Sequence, residues 1–313
     1  MIELIIKRLL AAIPVMLIVA TVVFLLLRMA PGDPARVIAG DMASEESIAQ
    51  IRTEMGLDQS LGTQYLRWMG ALVQGDLGRS IQSRQPVTAL ITARLGPTFS
   101  LAACAILLTI ATAIPLGVLA AWRHRGLADR GIMAGAVLAF SMPAFVVAYL
   151  LILVFSVHLD WLPVQGYSPL DDGIGRYAQH LLLPTVTLAM VFVALITRIT
   201  RASLLDVLGE DFVRTARAKG VTERFVLFRH ALRNAAIPIV TIVGVALTTL
   251  ISGVVVTETI FNIAGVGRLI VDSVLARDYP VVQGTILFFS FIYVFVNLLI
   301  DMAYVVLDPR IRY

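Results

Sequence analysis

The residues that could do chemistry are few and far apart. Glu258 and Asp301 stand in strongly apolar runs, where an ionisable group is costly and often kept for function, a proton relay above all. A relay needs several such groups at matched depth, and the other apolar runs offer none. The alternative is that each carboxyl satisfies polar groups at helix packing or headgroup level. His124, His158, His180 and His230 show no metal-ligand spacing, and Cys104, the single cysteine, lies in an apolar run without a thiolate partner. The sequence contains no GxxxxGK[ST] phosphate loop, so the chain is expected to hold no cofactor and to hydrolyse no nucleotide by itself.

The polar residues that do cluster lie between Asp206 and Asn234, DVLGEDFVRTARAKGVTERFVLFRHALRN. The spacing predicts two short helices and a tight turn. Glu210 and Asp211 open the first helix and Arg217 and Lys219 close it, in agreement with the helix dipole at both ends. Gly220 follows where a helix commonly needs a left-handed residue to stop. Thr222 can cap a second helix, with Phe225, Phe228 and Leu232 on one face and Arg229 and Arg233 on another. Two readings are open at this level: a structured contact surface, or an ordinary basic loop whose charges only orient a membrane protein.

The surrounding chain is a membrane protein. Of its 313 residues 58% are hydrophobic and 15% charged, against roughly a quarter charged in soluble domains. Mean hydropathy is +0.87 and the formal charge is +4, carried by short basic loops between apolar runs rather than by a nucleic-acid-binding face. Six runs are long enough to span a bilayer: 9–29, 98–121, 132–157 (interrupted by Pro143), 181–205, 235–257 and 281–307. Pro115, Pro143 and Pro184 are expected to bend or start helices near the middle of the bundle. Arg198 and Arg201, late in the fourth run, are expected to reach headgroups or a protein partner. The basic loops at 122–130 and 206–234 place both termini in the cytoplasm. Residues 31–97 form the one long polar segment, with amphipathic helices after Ser44 and around Tyr65–Leu72 that either cap the bundle or lie along the membrane surface. A further short helix is expected at Val266–Leu275. The expected division is 1–30 (N-terminal region and first span), 31–97 (external cap) and 98–313 (the five-span core carrying the 206–234 loop).

The stretch Arg214–Asn234 resembles the cytoplasmic coupling loop of binding-protein-dependent ABC importer permeases, and more narrowly the first permease subunit of the peptide/nickel family. RMAPGDPARVIAG (Arg28–Gly40), MGLDQ (Met55–Gln59), VQGDLGRS (Val73–Ser80), FSVHLDWLPVQG (Phe155–Gly166), GVGRLIVDSVLARDYPVVQG (Gly265–Gly284) and the terminal LDPRIRY resemble that group in the same order. The general loop pattern is Glu-Ala-Ala, three residues, Gly, nine residues, Ile-x-Leu-Pro. Here Arg214-Thr215-Ala216 replaces the triplet, Gly220 is kept, and His230-Ala231-Leu232-Arg233 replaces the last group. The resemblance implies an all-α, six-span permease of type I ABC importer architecture in a bacterial inner membrane. It implies a homologous second permease, two cytoplasmic ATPases that bind ATP and Mg, and an external substrate-binding protein as partners. Glu210, Asp211, Phe212, Val213, Arg214, Ala216, Arg217 and Gly220 are then the residues expected to couple to an ATPase. The implied cargo is a di- or oligopeptide or glutathione; the alternatives are nickel or another small solute, or an ion-coupled carrier acting alone.

Overall fold

The computed structural model describes residues 2–29, 34–39, 43–54 and 56–307. The breaker residues 31–33, Gly40, Met55 and the terminal segment 308–313, all within stretches singled out above, lie outside them. Among the described residues the regular structure is helical. Five helices are long and apolar enough to cross a bilayer, and a bent pair supplies a sixth span when counted as one. The six are Ile2–Met29, Leu95–Trp122, the pair Leu127–Ser141 and Ala144–His158, Ile174–Leu208, Ala236–Ile260 and Tyr279–Leu307. We refer to them as the first to sixth spans.

All but the fifth begin two to seven residues before hydropathy alone places them, because helices continue past the apolar run until a cap or breaker stops them. The third span is the broken one. The interruption expected at Pro143 is present and divides it into two helices, bent by 102° at Met142–Pro143. Met142 is extended (φ −89°, ψ 127°), the conformation that the proline ring imposes on its predecessor. Pro115 and Pro184 sit inside unbroken helices.

The chain divides into two compact units. One comprises residues 97–263 with residues 2–5 and 295–307. Its core gathers Leu101 and Ala105 of the second span, Leu181, Leu188 and Ile196 of the fourth, and Leu250 and Val254 of the fifth. Small residues let these helices approach, since lipid supplies no hydrophobic drive for helix association. A Cβ at Gly117 would stand 2.6 Å from Thr200 Cβ and 2.9 Å from the Thr197 carbonyl, so only glycine permits this crossing of the second and fourth spans. Glu258 is fully buried and accepts the Thr98 hydroxyl at 2.6 Å. Of the two roles open to it, satisfaction of polar groups on a neighbouring span is the one observed.

The other unit comprises residues 6–96 and 264–294. Helix Glu45–Glu54 starts at Ser44, whose hydroxyl accepts the Ser47 N–H, and Leu61–Val73 is capped in the same way by Ser60. The aromatic face of the latter packs on the first span: Phe24 lies 5.3 Å from Tyr65 and 5.5 Å from Trp68, centroid to centroid, and Thr21 and Tyr65 share a 2.7 Å hydrogen bond. That face is therefore occupied by protein. The expected helix Val266–Leu275 is present with those bounds. Asp278, just beyond it, accepts the Ser80 hydroxyl and the Ile81 and Gln82 N–H groups at 3.0 and 3.4 Å. Two of the stretches carrying the resemblance, around Ser80 and around Asp278, are thus two halves of one buried contact.

Candidate functional site

The fourth span delivers the chain into the 206–234 loop. It runs without a break to Leu208, and Gly209 closes it by hydrogen bonding back to Asp206. Helix Asp211–Ala218 follows, with Glu210 at its N-cap and Arg217 in its last turn. The chain then turns at Gly220, whose φ of +79° a side chain would resist. Thr222 stands at the next N-cap with extended backbone, but its hydroxyl makes no capping bond. Glu223 does the joining instead: Arg217 donates to its two carboxylate oxygens at 2.8 and 3.3 Å across the turn.

The second loop helix differs from its expected form. After Glu223–Phe225 it widens into a π-helical segment, Val226–Ala231, before Leu232–Asn234. The i→i+5 pairing adds a residue to the turn and shifts every later side chain around the axis. Val226, Leu227 and Ala231 are buried, while Phe225 and Phe228, read above as one apolar face with Leu232, are more than half exposed.

Leu227, Ala231 and Ala235 join Val118 and Ala121 of the second span, Leu204 of the fourth and Ile239 of the fifth in one core cluster. The first loop helix packs in turn on the π segment. Force applied to the loop therefore reaches three membrane helices through close-packed side chains, which transmit displacement because protein interiors compress little.

The eight residues expected to couple to an ATPase fall into two groups. Asp211, Phe212 (44% exposed), Arg214 and Arg217 lie on the open surface of the loop, as does Glu210 at its start, and Gly220 shapes the turn. Arg214 pairs with Asp211 at 3.2 Å and Arg217 with Glu223. Pairs this exposed are worth under about 1 kcal/mol and exchange readily for acidic groups on another protein. Ala216 is half-buried. Val213 is placed otherwise than on the outward face: it is completely buried, the one fully buried residue of this helix.

Sequence reading missed the clamp above the loop. Asp129, 3% exposed, accepts Arg201 Nε at 2.6 Å and Nη2 at 2.8 Å, and the Arg125 N–H at 2.9 Å. His124 Nδ1 lies 3.4 Å from the same carboxylate. Arg201, expected above to reach headgroups or a protein partner, turns onto Asp129 within the chain and fixes the turn after the second span to the fourth span just before the loop. The available signal was a lone acid in the basic stretch 122–130.

A helical membrane bundle with a structured basic loop anchored on three spans matches a known architecture over its whole length. The family described as the binding-protein-dependent transport system inner membrane component covers residues 113–313, and the N-terminal component of the same systems covers 1–102. The chain belongs to this permease family. It therefore has the type I ABC permease fold and is a multi-pass membrane subunit of a bacterial ABC transporter, a complex with other subunits. Among its relatives, a probable peptide ABC transporter permease of Sinorhizobium fredii is 47% identical over 99% of both chains. A putative peptide transport system permease of Brucella abortus is 47% identical, and the glutathione transport system permease of Escherichia coli 46%, each over the full length of both chains. In the permease, the loop is seated on the second, fourth and fifth spans, and the clamp above it ties the turn after the second span to the fourth.

Proposed function

We propose that this chain is the membrane-spanning half-channel of an ATP-driven importer of small peptides, with glutathione or dipeptides as the leading cargo, and that its 206–234 loop is the lever driven by a cytoplasmic ATPase. The observation that carries the lever is the seating of Leu227, Ala231 and Ala235 in a core shared by the second, fourth and fifth spans. The cargo rests on the full-length similarity to permeases named for peptides and glutathione; the nickel alternative finds no support among them.

In this reading a second, homologous permease completes the path, two ATPases hold ATP and Mg, and an external binding protein delivers the peptide. The chain itself binds no nucleotide. Both termini and the 122–130 and 206–234 loops face the cytoplasm, which puts residues 31–97 outside. ATPase closure pushes helix Asp211–Ala218. The π segment carries the displacement to the three spans, and the path changes the side on which it is open. Exposed Phe212 supplies an apolar anchor for an ATPase groove, while Arg214 and Arg217 exchange their internal partners for acidic groups on its rim.

The complex reconstituted in proteoliposomes with its binding protein should take up a labelled dipeptide or glutathione only with ATP. Uptake restricted to nickel chelates or sugars would refute the cargo and leave the lever standing. Uptake indifferent to ATP would remove the importer reading itself.

A further inference from the structure

At the end of the fourth span remote from the loop, an apolar groove of about 450 Å³ opens between the π-helical end of the third span and the first turns of the fourth. Leu151, Phe155, Leu162, Leu182, Leu183 and Val186 line it, and Trp161 stands at its edge, 65% exposed and 6.1 Å from the Phe155 ring. The lining offers no hydrogen-bonding group, so the groove suits neither peptide backbone nor a hydrated ion. Only hydrocarbon can fill it without loss.

One charge stands in register with it. Arg176 is exposed and lies seven residues before Leu183 on the same continuous helix, hence on the same face, roughly 10 Å nearer the helix start. A hydrocarbon slot, an indole at its edge where tryptophans meet the membrane–water boundary, and a cation beyond it reproduce the order of chain, glycerol and phosphate in one leaflet.

We infer that this groove is a binding site for one glycerophospholipid, with an acyl chain along Leu182 and Leu183 and its phosphate on Arg176. A lipid held there wedges the bent third span against the fourth, at the end of the bundle opposite the Asp129–Arg201 clamp.

The test uses the assembled transporter in vesicles of phosphatidylglycerol and phosphatidylcholine carrying increasing fractions of a mid-chain brominated phosphatidylglycerol. The emission of Trp161 is taken as the difference between the unaltered transporter and Trp161→Phe. Occupation of a site predicts that Trp161 is quenched at bromolipid fractions well below those that quench the remaining tryptophans. Arg176→Gln should move the half-quenching fraction up about five-fold, the weight of one cation against an anionic headgroup. Phospholipid co-purifying in detergent should fall by one molecule per complex in Leu182→Trp, a change at a half-exposed position that fills the groove without entering the core. Quenching of Trp161 in step with the bulk lipid fraction would overturn the proposal. So would its complete protection, which would mean that another subunit covers the groove, or an unchanged lipid count in Leu182→Trp.

Discussion

Asp129→Ala should destabilise the permease by about 3 kcal/mol, toward the lower end of the cost of breaking a buried ion pair because Arg201 keeps some contact with water. The substitution strips two charge-assisted hydrogen bonds from a guanidinium only 23% exposed and leaves the Arg125 N–H without its acceptor. A drop of several degrees in the unfolding midpoint of the purified complex is the expected reading. The partner change discriminates the cause. Arg201→Leu added to Asp129→Ala should restore part of the loss, because no uncompensated charge then remains in the interior. Full additivity of the two changes would mean that the pair does not act as a clamp. The same variant should also couple poorly, since the turn after the second span would no longer be tied to the fourth span above the loop.

Gly220→Val should leave the fold intact and cut substrate-stimulated ATP hydrolysis about ten-fold, which corresponds to about 1.4 kcal/mol. No atom lies within 4 Å of a Cβ built at Gly220, so the penalty is backbone strain alone. Holding a β-branched residue at a φ of +79° costs on the order of 1–3 kcal/mol, too little to undo a bundle of spans but enough to misplace a helix eight residues long. Gly220→Asn is the control. Asparagine tolerates the left-handed region, as Asn262 does in this chain at φ 53°, and should retain most of the coupling. Equal loss in both variants would point to something other than the turn. Normal stimulation and transport in Gly220→Val would show that the turn is no part of the lever.

How much of this could be read in advance follows from how far each interaction reaches along the chain. The start of the loop helix at Glu210 and Asp211, its end at Arg217 and the stop at Gly220 are set by neighbours within a few residues. They were legible, as were the spans, because the bilayer fixes their length and polarity. The inward turn of Val213, the π segment Val226–Ala231 with the outward Phe228, and the bend angle at Pro143 depend on what packs alongside. The Asp129–Arg201 clamp joins residues 72 apart in the chain, and no local pattern marks such a pair. Ser80 and Asp278, 198 apart, were each noticed as part of a familiar stretch, yet their union is visible only in three dimensions. For the candidate site this means that the loop's outline was available from sequence, but its anchorage in the bundle was not.

The central claim is that the exposed face of helix Asp211–Ala218 is where the ATPase engages. Cross-linking tests it most directly. With Cys104 replaced by alanine, single cysteines introduced as Phe212→Cys and Arg214→Cys in the assembled transporter should form short-range cross-links to the ATPase subunit, with yields that change when ATP is added. Val213→Cys, at the buried position between them, should not. Absence of ATPase adducts at both exposed positions, in a complex that still transports, would contradict the account.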